Sequence, residues 1–191
     1  MTEPGQPDRA KLFTGVLSAS RELLPEVRKQ LEKLFGPIEL ESEVFAFGST
    51  NYYESQMGRN LSRVFYAFEP LVEQDTLAAL KLATNKLEKE FTGRRGVERP
   101  VNIDPGIMLS SKIILASCKD FSHRIYLGDG VYGEITLQYV KGEFQTLPWT
   151  FPDYRKEEYH AFFDNLRRRY TEQFRSQRNG PSPKKDHSDQ E

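Results

Sequence analysis

Lys112-Ile113-Ile114-Leu115-Ala116-Ser117-Cys118 is the stretch on which the reading of the fold turns. It is short, apolar and rich in branched side chains, so it reads as a β-strand. As a strand it closes a series that begins at Lys11. Lys11-Leu-Phe-Thr-Gly-Val-Leu17 is a first apolar strand, and Leu23, Leu24, Val27, Leu31, Leu34 and Phe35 then recur at helical spacing until Gly36-Pro37 stops the helix. Pro25 fits that helix only in its first turn. Val44 to Thr50 and Arg63 to Glu69 read as two further strands, joined by a loop, Asn51 to Asn60, long enough to be functional. Asp75 is a plausible N-cap for a second helix whose apolar face is Leu77, Leu80, Leu87 and Phe91. The order β-α-β-β-α-β predicts an α+β fold, a ferredoxin-like split-βαβ sandwich in which two helices cover one face of an antiparallel sheet.

Beyond Cys118 the pattern adds a C-terminal β-hairpin and a helix. A three-residue loop, Gly128-Asp129-Gly130, sets Ile125 with Gly133, Tyr126 with Tyr132, Leu127 with Val131 and Arg124 with Glu134. In that register His123 falls in phase with Ile125 and Leu127, on the face opposite Arg124. The last helix begins after Asp153, with Tyr159, Phe162, Phe163, Leu166, Tyr170 and Phe174 as a buried stripe and Arg167 to Arg169 turned outward. Residues 1–9 and 178–191 are polar and Pro-containing, so they are expected to be disordered ends of a single α+β domain over 10–177.

The 191 residues carry 27 Lys and Arg against 28 Asp and Glu. A net charge near zero gives no global field toward nucleic acid or membrane, so any such binding needs a local patch. One cysteine, Cys118, allows no internal disulfide and no thiolate metal cluster, and reads as a buried, inert thiol. No leader pattern or membrane-length apolar run occurs, which points to the cytoplasm. The sequence has no phosphate loop, no dinucleotide-binding glycine pattern, no zinc-protease helix and no nucleophile elbow.

The candidate site residues crowd between Arg99 and Arg155. In Asn102-Ile-Asp104-Pro-Gly106 the carboxylate sits beside what reads as a tight turn, either as general base or metal ligand or as the acceptor of an Asx-turn. Lys119-Asp120-Phe-Ser-His123-Arg124 joins an acid, an imidazole and two cations; His123 suits proton transfer near neutrality and Asp120 could orient it, while a structural histidine is the plainer alternative. Arg124 and Glu134 face each other across the hairpin, as a cross-strand ion pair that is worth little if exposed or as ligand-binding groups. Tyr126 and Tyr132 flank them as a surface on which an RNA base could stack. Tyr53 in the 51–60 loop and the Tyr154-Arg155 turn complete the set.

Thr50-Asn-Tyr-Tyr-Glu54 with Met57-Gly58, Lys81-Leu-Ala-Thr-Asn-Lys86, Asn102-Ile-Asp-Pro-Gly106, Lys119-Asp-Phe-Ser-His-Arg-Ile-Tyr126 and Trp149-Thr-Phe-Pro-Asp-Tyr-Arg155 together resemble an uncharacterised bacterial family, domain of unknown function 4416. The resemblance runs in order from about Lys11 to Tyr170 and implies no particular activity, cofactor or metal. The chain departs from the family pattern at Gln56, where an acidic residue precedes Met-Gly. The residues themselves favour a small anionic or nucleotide-phosphate ligand held near Asp104, Lys119, Arg124 and Glu134, with Asp104, Asp120 and His123 as acid-base candidates. A non-catalytic RNA-binding or protein-interaction module using the hairpin face is the alternative.

Overall fold

A computed structural model describes residues 3–48 and 54–178. Nine strands form one sheet: β1 (Ala10–Ser18), β2 (Ile38–Glu41), β3 (Phe45–Ala46), β4 (Ser62–Val72), β5 (Val101–Leu109), β6 (Lys112–Ser117), β7 (Ile125–Gly128), β8 (Val131–Val140) and β9 (Glu143–Thr146). Four helices accompany them: α1 (Leu24–Phe35), α2 (Glu54–Met57), α3 (Leu77–Glu90) and α4 (Glu157–Arg178). The sheet runs β2-β4-β1-β5-β6-β8-β7, with β3 also on β4 and β9 on β8, and every pairing is antiparallel.

This is a mixed α and β architecture with an open antiparallel sheet, and it departs from the expected sandwich with its added hairpin and helix. Nine strands exceed that sandwich. The strand beside β1 is Val101–Leu109, and Lys112–Ser117 lies one place farther out. Two helices, α1 and α3, share one face, and the C-terminal helix α4 covers the other. Leu12, Val16, Val64, Tyr66 and Ile103 pack under α1 and α3 through Val27, Leu31 and Leu87, whereas Phe13, Phe65, Met108 and Leu137 pack under α4 through Tyr159, Phe162, Phe163 and Leu166. That is why all nine residues of β1 are buried, although a strand covered on one face would alternate. Even Lys11 is enclosed; its amine donates to the Phe68 and Glu69 carbonyls and pairs with Glu39 at 2.6 Å, while burial holds its pKa down.

Local readings fare unevenly. Gly36 follows α1 at φ +93°, and its N–H closes the helix on the Glu32 carbonyl. Asp75 caps nothing through its side chain, since a 3-10 turn over Gln74–Thr76 intervenes before α3. Of the strand expected over Val44 to Thr50, the described residues form strand over Phe45–Ala46, and Ile38–Glu41 adds a second pairing to β4. In the hairpin, Ile125 faces Gly133 and Tyr126 faces Tyr132 as the register argument requires. Gly128 then opposes Val131 across a bulge, so Asp129 and Gly130 alone make the turn, both at positive φ. Among the described residues no helix is long and apolar enough to cross a membrane.

Candidate functional site

The sheet forks between β5 and β6. The two strands pair only from Gly106↔Leu115 to Leu109↔Lys112; beyond that β5 continues along β1 to Val101, and β6 continues along β8 to Ser117. On the open edge of β5 the Ile103 N–H donates to Glu88 at 2.7 Å and the Ile103 carbonyl accepts from Lys81 at 3.0 Å. Alternate residues of a strand share an edge, so Pro105 stands on that same edge, where the next ladder bond would need an N–H that proline lacks. The ladder therefore ends at Pro105 and side chains from α3 satisfy what β6 leaves unpaired. Asn102-Ile-Asp-Pro-Gly106 is accordingly mid-strand and not the turn its Pro-Gly suggested. Gly106 is needed for packing instead, since a Cβ there would lie 2.5 Å from the Phe13 ring and 2.7 Å from Leu115.

The fork opens a cleft of about 1140 Å³ between α3, β5, β6 and the 151–154 segment. Asp104 projects into it, paired to Lys81 at 3.1 Å and to Arg63 at 3.6 Å, and accepts from Asn102 at 2.6 Å. Burial pushes the Asp104 carboxyl up, but Lys81 and Arg63 outweigh it and hold the pKa below the usual value. Glu88 shows the opposite balance: burial raises it against the opposing pull of Lys81, Arg99 and the Ile103 N–H. Arg99 grips Glu88 at 2.7 Å and also donates to Asn102. Arg63 lies on the floor, 5% exposed, and donates to Asp153 at 3.2 Å. Gly15 makes room for it, since a Cβ would come within 3.0 Å of the guanidinium.

The facing wall is built on β8. Glu134, 2% exposed, accepts from Arg124 at 2.7 Å and meets His123 Nε2 at 3.0 Å on the same oxygen. The other end of Arg124 donates to Ser117 Oγ and the Lys119 carbonyl, both at 2.8 Å. The ion pair expected across the hairpin forms, and it is buried. His123 also converges with Arg124 on Glu134 and does not lean to the opposite face. The alternation used to separate them holds only inside a strand, and β7 begins at Ile125. His123 is sandwiched by Phe121 and Trp149, with interplanar angles of 15° and 8°.

The candidates thus divide. Asp104, Lys119, Arg124, Glu134 and Tyr154 line one cleft; His123 supports it through Glu134; Asp120 is exposed and outside the lining. Arg155 is turned to the carbonyls of Leu147, Pro148 and Thr150, which it ties together. Tyr53 lies outside the described residues. Cys118 is exposed at the cleft and accepts from Asn85 at 3.3 Å, so it is not buried as expected. Sequence reasoning missed Arg63, Lys81, Glu88 and Asp153. A signal existed for two of them: Lys81, Thr84 and Glu88 fall at helical spacing and form a buried polar stripe on α3.

Chemically, Asp104 and Glu88 are carboxylates driven in opposite directions, and Arg124 presents a fixed guanidinium. Among the described residues no group of three or more His, Cys, Asp or Glu side chains comes together to hold a metal ion. A family model described as a domain of unknown function (DUF4416) matches residues 8–170. No curated protein and no solved structure matches the chain.

Proposed function

We propose that this chain, which belongs to the family of domain of unknown function 4416, binds a phosphate-bearing small molecule with a planar ring in the cleft opened at Pro105. The observation that carries the proposal is the composition of the cleft wall. Lys86, Lys89, Lys119, Arg99 and Arg124 gather with Lys81 and Arg63 against a smaller number of carboxylates, and the rings of Phe121, 55% exposed, and Phe151 stand open beside them. Cations that outnumber carboxylates favour an anion, and exposed rings favour stacking by a flat partner. The volume suits a ligand of nucleotide size.

The fold serves this reading. We take β1, α1, β2, β4, α3 and β5 as a ferredoxin-like split-βαβ core, given the order β2-β4-β1-β5 with α1 and α3 on one face. The strands β6 to β9 extend it, and the cleft is the seam between core and extension. Within it Arg124 is the group that would grip an anion. Asp104 remains ionised and able to accept a proton, and His123 acts through Glu134.

Isothermal titration with AMP, UMP and inorganic pyrophosphate tests the proposal. Binding by the wild type, weakened about tenfold or more in Lys86→Glu/Lys89→Glu, is expected; neither lysine forms an ion pair within the described structure, so the double variant should fold normally. No heat from any of the three probes overturns it.

One observation favours a protein-interaction module as a second reading. Ile125, Tyr126 and Leu127 are 72%, 60% and 42% exposed in a row on β7, at the end of the sheet. RNA binding at that face would show as an affinity falling linearly with salt on logarithmic axes.

A further inference from the structure

The two edges of the sheet are built differently. At one edge β2 follows Pro37 and carries Glu39 and Glu41, and β3 is two residues long, with Lys156 Nζ donating to its Ala46 carbonyl at 3.4 Å. Proline, charge, brevity and a covering side chain are devices that keep an open edge from pairing with another strand. At the other edge β9 carries Glu143 and is followed by Pro148. β7 has none of these devices along its length: Ile125, Tyr126 and Leu127 stand exposed in succession, with no charge and no proline among them.

The apolar surface continues past the strand. Trp149 donates to the Ile135 carbonyl of β8 at 2.8 Å, between the stretches of β8 that pair with β7 and with β9. Its exposed ring stacks on His123, two residues before β7, and Phe121 extends that stack. Exposed apolar side chains gathered in this way mark a surface that another chain covers. Residues 179–191 contain no large apolar side chain with which to cover it.

The pattern selects a second copy of this chain. A strand paired antiparallel with its own twofold mate brings its residues against a reversed copy of themselves, so like charges near the centre oppose each other and weaken the pair. β7 is free of charge, whereas self-pairing of β2 would bring Glu39 and Glu41 toward their own copies. A foreign strand imposes no such condition. With β2 guarded and β7 open, association stops at two copies, where two open edges would let it run on as a filament.

We infer that the chain forms a twofold dimer through β7, with Tyr126 opposite Tyr126 of the second copy and Ile125 opposite Leu127. This register keeps all three apolar residues of both copies in the pairing and gives the outer main-chain groups of β7 partners. The inference rests on the protein-interaction reading of β7 and names its partner; the ligand proposed for the cleft is independent of it. A four-residue strand is short for a permanent interface, so the dimer is a reversible one.

Sedimentation velocity of the full chain over a range of concentrations tests the dimer. The wild type is expected to move from 22.1 kDa toward twice that mass as concentration rises. Ile125→Lys changes an exposed side chain and puts on β7 the charge that blocks edge pairing, so it should stay monomeric where the wild type is mostly dimer. Cross-linking tests the register in a Cys118→Ser background, which removes the one native cysteine. Tyr126→Cys should then form a disulfide with its own copy under mild oxidation, because opposed residues lie about 4.5–5.5 Å apart between Cα atoms, within disulfide reach. Ile125→Cys, whose own copy is displaced two residues along the strand, should cross-link far less. A wild type that stays at 22.1 kDa overturns the inference and leaves β7 to a strand of another protein. A dimer that survives Ile125→Lys, or a Tyr126→Cys protein that cross-links no faster than Ile125→Cys, overturns it as well. None of these results bears on the cleft, whose reading the nucleotide titrations decide separately.

Discussion

Glu88 accepts the Ile103 main-chain N–H at 2.7 Å, so a helix side chain occupies a position that a sheet ordinarily gives to the next strand. Lys81, two turns earlier on α3, takes the Ile103 carbonyl at 3.0 Å. Between them they convert a broken ladder into a stable, polar cleft wall. The break is traceable to one residue, Pro105, and this makes its consequences testable.

Pro105→Ala restores an N–H on the open edge of β5, opposite Ala116 if the register set by Gly106 and Leu115 continues. The new ladder bond and the lost rigidity of proline roughly offset each other, so overall stability should change by less than about 1 kcal/mol. The amide at 105 should exchange slowly with deuterium, and UMP affinity should drop as the fork closes. An amide exchanging at the free-peptide rate would mean that Pro105 does not cause the fork.

Glu134 is held by Arg124 and His123 and is nearly inaccessible. Glu134→Ala leaves a buried guanidinium unpaired, and urea unfolding should report a loss of about 3–5 kcal/mol. Glu134→Gln, which keeps an acceptor oxygen, should cost visibly less.

Gly106→Ala places a methyl within 2.5 Å of Phe13 and 2.7 Å of Leu115, both in the packed layer under α4. Overpacking of this kind costs about 1–3 kcal/mol, to be read as a fall in the denaturation midpoint without a change in slope.

Asp104 and Glu88 should give the stability curve two opposing acid limbs. Asp104 has a folded pKa below its ordinary 3.8, so its contribution is fully present above that value and is lost as pH falls through the lower folded value. Asp104→Asn should flatten that limb. Glu88 has a folded pKa above its ordinary 4.5, so its charged form is a burden near neutrality, relieved as pH falls through the raised value toward 4.5. Glu88→Gln should remove that recovery. Denaturation at a series of pH values separates the two.

Much of the scaffold was legible because it follows from local periodicity. The α1 stripe, its Gly36 stop, the hairpin pairs Ile125 with Gly133 and Tyr126 with Tyr132, and the aromatic face of α4 are all set by neighbours along the chain. The misreadings share a cause: long-range pairing overrode a local cue. Pro105-Gly106 has the composition of a turn, yet the strand passes straight through it because β1 supplies a partner on one edge and α3 side chains supply the other. His123 obeys strand alternation on paper but sits in the loop before β7. Arg63 and Asp153 lie ninety residues apart in sequence, and nothing in either segment announces the other; only the pairing of β4 with β1 and the packing of the 152–155 turn bring them together.

The most direct test of the central claim is hydrogen–deuterium exchange of the wild-type chain with and without saturating UMP. Binding in the cleft predicts added protection in α3 from Lys81 to Lys89, along Asn102 to Asp104 and over Ser117 to Arg124, with β7 unchanged. Protection confined to Ile125–Leu127, or no protection at all, would contradict it.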